Sequence, residues 1–298
     1  MAVLRLSGIL VALLSLFSTQ AGASGTAAAS DGHGSDGHGT TQEASDTHAE
    51  APASGSGGLC RGFGPQTPRD ISNFAGLNRA SFAMAPSPAA MNLCNIHTHT
   101  NAEHKGPGFS IPAGGGKAGG FLCNETRDLS IEDQIDPLAG HGAFEGIHPG
   151  DTIEVHWVFT SCDIEPGQGL GSCVSASCTN PTLRVETQVF LVVNDRDALN
   201  FHDFAYAGNM VNGLHQPKSL PTGTGAPVVF RGSTTGPSYT EETCSPYQVT
   251  WSVRPECARL SYSSINSWAA NGNVFHENHS HGVRELVTAP ELLAPINF

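Results

Sequence analysis

The sequence predicts a mainly β protein, with a single folded domain around a mixed or antiparallel sheet, long loops and few short helices. Of its 298 residues, 39% are hydrophobic and only 14% are charged, so the chain can bury a core. The 35 glycines and 19 prolines indicate turns rather than long helices. Segments rich in β-branched and aromatic residues recur along the chain and are typical of strands.

The N-terminal residues predict export. Arg5 precedes an apolar run from Gly8 to Phe17 that is too short to span a bilayer. Ala21-Gly22-Ala23 then supplies the small residues after which signal peptidase cuts. Residues 1–23 are therefore interpreted as a signal peptide, with an uncleaved anchor as the alternative. We expect a periplasmic or secreted protein that has no membrane span after signal removal.

Residues 24–59 are predicted to be a disordered linker. The stretch from Ser24 to Gly58 contains no aromatic residue and no Leu, Ile or Val, so it cannot form a core. It repeats Asp31-Gly32-His33-Gly34 as Asp36-Gly37-His38-Gly39, which leaves loose metal binding as an alternative to a solvated linker. The folded domain is then expected to span residues 60–298.

Three segments of this domain are predicted strands: Thr152–Thr160, Leu183–Val193 and Gln248–Val253. Helix signals are weak and indicate about one turn near residues 128–133. Glycine-rich loops such as Gly114-Gly115-Gly116 separate the strands and suit wide connections around a site.

Charge and cysteine content limit the possible functions. Acidic residues outnumber basic ones 27 to 14, so no cationic face can follow a phosphate backbone, and nucleic-acid binding is excluded. In an exported chain, the eight cysteines predict disulfides rather than thiolate metal sites. The oligomeric state does not follow from these features.

Histidine is abundant, with 14 residues, and three of them can converge. His97 and His99 are two residues apart in an extended segment, so both side chains leave the same face. His156 lies within a predicted strand and completes a three-nitrogen face if the two strands pair. Three neutral imidazoles leave Zn²⁺ one open position for water, as in catalytic zinc sites.

The neighbours of these histidines suit a metal site. Asn95 and Glu154 each stand two residues before a candidate ligand, and they are expected to accept a hydrogen bond from its second ring nitrogen. Val158 continues the face of His156 with an apolar surface that suits a small nonpolar substrate. The opposite face of this strand is expected to pack into a core through Ile153, Val155, Trp157 and Phe159.

Other histidines offer alternatives. A second His-x-His pair, His279 and His281, is the main internal rival, but its Asn and Gly neighbours indicate a loop. Four further histidines beside Gly, Pro or Asp are expected in solvated loops, where one of them could relay protons: His141, His148, His202 and His215.

Three segments, Cys94–Gly106, Glu154–Val158 and Asn278–Arg284, resemble delta-class carbonic anhydrases. Distant motifs are also similar to the alpha class: Gln66–Ile71 is similar to its Gln-Ser-Pro-x-Asp-Ile opening, and Gly232–Trp251 to its Gly-Ser-Leu-Thr-Thr-Pro-Pro-Cys…Val-Thr-Trp stretch. The resemblance implies an architecture like that of the alpha class, and it implies reversible hydration of CO₂ to bicarbonate and a proton.

The resemblance also assigns site residues. It implies Zn²⁺ held by His97, His99 and His156, with zinc-bound hydroxide attacking CO₂ in a pocket that includes Val158 and Trp251. It further implies one disulfide, between Cys60 and Cys244.

Two catalytic groups follow from the same resemblance. Glu103 corresponds to a carboxylate that accepts a hydrogen bond from a threonine, and this threonine orients the zinc-bound hydroxide. The matching residue is Thr234 or Thr235, with Ser238-Tyr239-Thr240 as a competing register. The alpha-class shuttle histidine has no counterpart, because no histidine lies between Ile71 and Asn95.

Two other classes of function remain open. His97, His99 and Glu103 have a spacing similar to that of cupin metal ligands, which together with His156 would bind Fe or Mn. A non-catalytic exported zinc-binding protein would use the Asp-Gly-His repeat and the C-terminal histidines. The identity and number of bound metal ions distinguish these classes.

Overall fold

The computed structural model describes residues 58–60, 62–115, 119–233, 239–284 and 287–296. The predicted signal peptide and nearly all of the predicted linker lie outside these residues. No helix in the described residues is long and apolar enough to cross a membrane.

The strands in the described residues are β1 Asn92–Thr100, β2 Ile111–Pro112, β3 Phe121–Leu122, β4 Thr152–Thr160, β5 Leu183–Val193, β6 Met210–Val211, β7 Leu214–His215, β8 Val228–Arg231, β9 Val249–Val253 and β10 Ala258–Ser261. Six of them form one sheet, in the order β1-β4-β5-β9-β8, with β10 also paired to β5. β1 and β5 are antiparallel to β4, and β8 is antiparallel to β9. β9 and β10 run parallel to β5 and share one of its edges, so the sheet is mixed. The predicted fold class is thereby confirmed.

Helical structure is sparse. Short 3₁₀ turns at Asn124–Asp128 and Glu132–Gln134 lie where one turn is predicted. Other 3₁₀ turns span Pro88–Ala90, Leu170–Cys173 and Phe201–Asp203. The α-helix α1, Tyr262–Ala270, was not predicted, because its serines and asparagine are weak helix formers. Burial of Tyr262, Ile265 and Trp268 against the sheet stabilises it instead.

The two faces of the sheet pack into two cores. Ile153, Val155, Trp157 and Phe159 of β4 face the core that also buries α1, which confirms the predicted orientation of this strand. Because side chains alternate along a strand, Glu154, His156 and Val158 point to the opposite face. Val158 packs there with Val185, Val189 and Trp251. The candidate ligands of β4 therefore lie on the second face, beside an apolar core.

β1 is an edge strand, and two segments cover its outer edge. The carbonyl of Cys94 accepts a hydrogen bond from the Gly167 backbone in the loop 161–182. Further along β1, the Thr98 backbone N–H donates to the buried carboxylate of Glu277 at 2.7 Å. The Thr98 carbonyl accepts from the His281 backbone. Several polar groups of this edge are thus satisfied within the chain rather than left open for another strand.

Disulfides tie the long loops to the sheet. All eight cysteines are paired, as Cys60–Cys244, Cys94–Cys173, Cys123–Cys257 and Cys162–Cys178. The first of these is the pair that the family resemblance implies. Since every thiol is oxidised, none is available as a metal ligand.

Candidate metal centre

Pairing of β1 with β4 brings three histidines together. His97 lies directly opposite His156 in the register of the two strands, and His99 follows on the same face of β1. The ring centroids of His97, His99 and His156 are 4.9–5.1 Å apart. All three side chains are buried, and one nitrogen of each lies within 4.8 Å of the other two. This is the three-nitrogen face that the sequence predicts.

Hydrogen bonds engage one nitrogen of each ring and leave the other for a ligand. Nδ1 of His97 lies 2.7 Å from Oδ1 of Asn95, and Nδ1 of His99 lies 3.4 Å from the Gly282 carbonyl. Nε2 of His156 lies 2.6 Å from Oε1 of Glu154. Since carboxylate and carbonyl oxygens accept hydrogen bonds, these nitrogens are the protonated ones. The remaining nitrogens, two Nε2 and one Nδ1, are then the ones that present lone pairs to a metal ion.

The arrangement of these free nitrogens fits a zinc ion. Nε2 of His99 is buried and has no hydrogen-bond partner among the described residues, so a metal ion would satisfy it. Nε2 of His97 lies 3.1 Å from Nδ1 of His156. Tetrahedral Zn–N bonds of ~2.0–2.1 Å require ligand nitrogens about 3.3 Å apart, close to this distance.

Burial keeps His97 and His99 neutral, as metal ligands must be. Burial lowers the pKa of His99 to about 3, although Glu103 opposes this shift. Burial, together with the neighbouring His156 and His99, holds the pKa of His97 well below its usual range. A cation that binds here displaces no proton from these rings at neutral pH.

The turn after β1 places two further residues at the site. Asn101 adopts a left-handed conformation with φ 66°, which asparagine tolerates better than most residues. This conformation ends β1 and turns the chain, so that Glu103 and His104 lie buried beside the histidines.

His104 is a site residue to which the sequence analysis gave no role. Oε1 of Glu154 accepts hydrogen bonds from Nδ1 of His104 and Nε2 of His156, each at 2.6 Å. Burial opposes ionisation of Glu154, but His104 and His156 outweigh it and hold the pKa of this carboxyl well below its usual range. The sequence signal was the Glu-His doublet that follows the His-x-His pair.

His104, Glu154 and His156 do not form a second metal site. A metal ion between two ligand atoms, each ~2.0–2.2 Å away, would hold those atoms about 3 Å apart or more. The observed separations of 2.6 Å are those of charge-assisted hydrogen bonds. In this cluster Glu154 therefore orients the ring of the candidate ligand His156.

Glu103 lies outside the ligand set. Its Oε1 is 3.6 Å from Nδ1 of His99, the nitrogen that faces away from the free lone pairs, and accepts from the Arg284 backbone at 3.3 Å. Its Oε2 lies 3.5 Å from the buried Arg69 guanidinium. Burial raises the pKa of Glu103, but His99 and Arg69 outweigh this effect and bring the pKa below its usual range. The alternative in which Glu103 is a fourth, cupin-type ligand does not fit this geometry.

The resemblance also implies two pocket residues, Trp251 and Val158, and a threonine at position 234 or 235. Trp251 packs against the rings of His104 and His156, with centroids 5.1 and 5.4 Å apart respectively. Val158 is buried beside the centre, two residues beyond His156. Thr234 and Thr235 lie outside the described residues.

The other histidines do not join the triad. His281 lies along β1 with its ring centroid 6.1 Å from those of His97 and His99, and His279 is exposed beyond it. Neither belongs to a metal-type cluster in the described residues. The expectation of a solvated loop was wrong for His215, which is buried in β7 and hydrogen-bonds Tyr206.

The fold and the site define a mainly β protein with a buried cluster of three histidines that could hold a metal ion. A family model, Delta carbonic anhydrase, matches residues 88–264, which is more than half of the chain. The chain therefore belongs to the delta carbonic anhydrase family. The matched region contains all three histidines, as well as Glu103, His104 and Glu154. No curated protein matches the chain.

Proposed function

We propose that the protein is a zinc-dependent carbonic anhydrase that hydrates CO₂ to bicarbonate and a proton. The observation that carries this function is the buried triad of His97, His99 and His156, in which one nitrogen of each ring is hydrogen-bonded outside the triad and the other lies within ligand distance of the other two rings. Membership of the delta family supports the reaction.

His97 and His99 would bind Zn²⁺ through Nε2, and His156 through Nδ1. When bound, the ion supplies a Lewis acid that lowers the pKa of a coordinated water molecule. Asn95 and Glu154 hold the ring orientation, since each engages the nitrogen that does not face the ion. The buried setting strengthens these interactions, because few water molecules compete for the polar groups.

Glu103 has the position of an acceptor beside the centre rather than that of a ligand. Its low pKa keeps it ionised and able to accept a hydrogen bond at neutral pH. We assign to it the orientation of a threonine hydroxyl, from Thr234 or Thr235, toward the reacting water. Val158 and Trp251 would provide the apolar wall against which CO₂ is held.

Stopped-flow CO₂ hydration with metal analysis of the same sample tests this function. We expect one zinc per chain, and hydration that is lost on chelation and restored by zinc. His156→Ala should lose zinc and activity together, because it removes one of three ligands. His279→Ala is the matched control, since this exposed histidine lies outside the triad, and it should retain both. Full zinc and full rate in His156→Ala, or bound iron or manganese in the wild type, would contradict the assignment.

We also propose that the mature protein is exported to the periplasm or secreted. Four disulfides suit an oxidising compartment, and the N-terminal sequence has the pattern of a signal peptide. Mass spectrometry of the exported protein should give an N-terminus at Ser24. An intact Met1 on the exported protein would contradict cleavage.

A further inference from the structure

The loop 161–182, which connects β4 to β5, contacts the metal centre from outside. Most of its residues are exposed or half-buried, and only a few apolar side chains, such as Ile164 and Leu170, pack against the sheet. The position of the loop therefore depends on disulfides and hydrogen bonds rather than on a large apolar contact. Cys162–Cys178 closes the loop on itself, and Cys94–Cys173 joins it to β1.

A chain of hydrogen bonds runs from this loop to a candidate ligand. Nδ2 of Asn95 donates to the Gly167 carbonyl at 3.0 Å, and Oδ1 of Asn95 lies 2.7 Å from Nδ1 of His97. The Gly167 carbonyl can only accept, so it fixes which end of the Asn95 amide faces His97. The amide oxygen then requires a proton on Nδ1, which leaves the Nε2 lone pair for the metal ion.

The loop is fastened to β1 immediately before Asn95. Cys94 is the extra residue of a β-bulge, where the register with β4 shifts between Leu93 and Asn95. Its carbonyl accepts from the Gly167 backbone N–H at 3.0 Å and from the Ser172 hydroxyl at 2.9 Å. Its side chain is bonded to Cys173. Three links thus converge on the residue next to the Asn95 amide.

We propose that the loop 161–182 is a positioning element for His97 and that the Cys94–Cys173 disulfide holds it in place. This inference rests on the proposed metal centre and adds a structural requirement to it. Breaking the disulfide frees the loop and with it the Gly167 carbonyl. The Asn95 amide can then turn, so His97 no longer presents Nε2 in a fixed orientation and metal affinity falls.

A disulfide that only stabilises the fold would behave differently. Cys123–Cys257 spans 134 residues in sequence, against 79 for Cys94–Cys173. In the chain-entropy account, removing the longer link costs at least as much stability. Removal of Cys123–Cys257 is thus a matched control, because it eliminates a disulfide without disturbing the contact between Gly167 and Asn95.

The experiment measures metal affinity of the mature chain by chelator competition, with Co²⁺ and Zn²⁺ as the probes. For Cys94→Ala/Cys173→Ala we expect about 10- to 100-fold weaker binding, the usual effect of losing a partner of a metal ligand. The visible absorption of bound Co²⁺ should also change, because the ligand orientation changes. Cys123→Ala/Cys257→Ala should keep the wild-type spectrum and affinity. Equal losses in both double variants would overturn the role of the loop.

A double-mutant cycle tests the route through Asn95. In an Asn95→Ala background, removal of Cys94–Cys173 should cause no further loss of affinity, since the contact it supports is already absent. Additive losses would contradict the inference. If the cysteine variant does not fold, Ser172→Ala weakens the same attachment, and Ser177→Ala in the same loop is its control. Equal metal affinity of these two serine variants would then overturn the inference.

Failure of the proposed function is distinguishable from failure of this inference. A wild-type protein that binds one zinc but does not hydrate CO₂ would contradict the carbonic anhydrase assignment, while the affinity comparison still decides the role of the loop. A wild-type protein that binds neither probe metal would overturn both.

Discussion

At the scale of single residues, the chemistry of the centre depends on which nitrogen of each imidazole is already engaged. Asn95 and Glu154 lie on the neighbouring strands β1 and β4. Each is hydrogen-bonded to the histidine nitrogen that faces away from the centre of the triad. A hydrogen bond to one ring nitrogen fixes the tautomer, so the other nitrogen must present a lone pair. Asn95 and Glu154 thus determine the tautomers of His97 and His156.

The metal-free protein should lose stability at mildly acid pH. Burial lowers the pKa of His99 from its ordinary value of 6.5 to about 3. Between these values the unfolded chain binds a proton that the folded chain does not, so stability is present above the unfolded pKa and falls as the pH drops. His99 alone should account for about 2 kcal/mol between pH 7 and pH 5.

Urea unfolding of the metal-free protein at both pH values measures this effect. His99→Gln, which cannot titrate at this position, should show a shallower dependence on pH. Equal stability of the wild type at pH 5 and pH 7 would contradict the prediction.

Substitution of His104 should weaken metal binding although this residue does not face the ion. His104→Phe keeps an aromatic ring against Trp251 but removes the donor that lies 2.6 Å from Glu154. Glu154 then holds His156 less firmly, and affinity for zinc should fall about 10- to 100-fold. Chelator competition measures the loss, and His202→Ala, which lies outside the centre, is the control. Unchanged affinity in His104→Phe would contradict a supporting role.

The positions of residues could be predicted where they depend on local spacing. Asn95 and Glu154 each lie two residues from a candidate ligand, and the alternation of strand side chains puts each of them on the same face as that histidine. His104 could not be assigned in this way, because its contact with Glu154 spans 50 residues of sequence. It becomes a site residue only when the turn at Asn101 folds back on the sheet.

At the scale of elements, β1, which contains two of the three candidate ligands, is an edge strand. Edge strands tend to fray or to pair with other chains unless their polar groups are covered. In β1 the loop 161–182 covers the first half, and residues 277–282 cover the second. Both segments therefore support the geometry of the triad from outside the sheet.

Removal of the Glu277 carboxylate should destabilise this edge. Glu277 accepts from the backbone N–H and the hydroxyl of Thr98, at 2.7 and 3.0 Å. Glu277→Ala leaves a buried N–H without a partner, so the free energy of unfolding should fall by about 1–3 kcal/mol. Urea unfolding measures this change, and faster hydrogen exchange of the Thr98 amide would localise it. Glu291→Ala, at an exposed carboxylate, should change stability little; an equal effect of the two variants would contradict the prediction.

Element prediction from the sequence succeeded where composition and burial agree. β4 and β5 have the predicted bounds, because their β-branched and aromatic residues are buried on both faces. α1 was missed, since its stability comes from packing against the sheet rather than from helix propensity. The cover of β1 by residues 277–282 was also missed, because nothing local in either segment specifies a contact so distant in sequence.

At the scale of the whole molecule, four disulfides and the proposed metal centre both stabilise the folded state. Any ligand that binds only the folded chain stabilises it by mass action. The oxidised cysteines offer the unfolded chain no thiolates with which to compete for zinc. Zinc should therefore be a strong stabiliser of this fold.

Thermal unfolding should reveal this coupling. At a free zinc concentration 1,000 times the dissociation constant, the gain is about 4 kcal/mol. For a domain of this size it corresponds to a rise in Tm of about 8–16 °C. His156→Ala should show no comparable rise, since it lacks one ligand. A zinc-independent Tm in the wild type would contradict a metal-stabilised fold.

The register of β1 on β4 has a consequence for changes in chain length. Beyond the bulge at Cys94, side chains alternate strictly, and His97 lies opposite His156. Insertion or deletion of one residue between His97 and His99 would turn one imidazole to the far side of the sheet, and the same change between Asn95 and His97 would separate Asn95 from both rings. The centre can therefore change by substitution, but it would be lost if β1 shifted by one residue relative to β4. Length variation among homologues is expected in the loops and at the bulge, while the five residues from Asn95 to His99 keep a constant length.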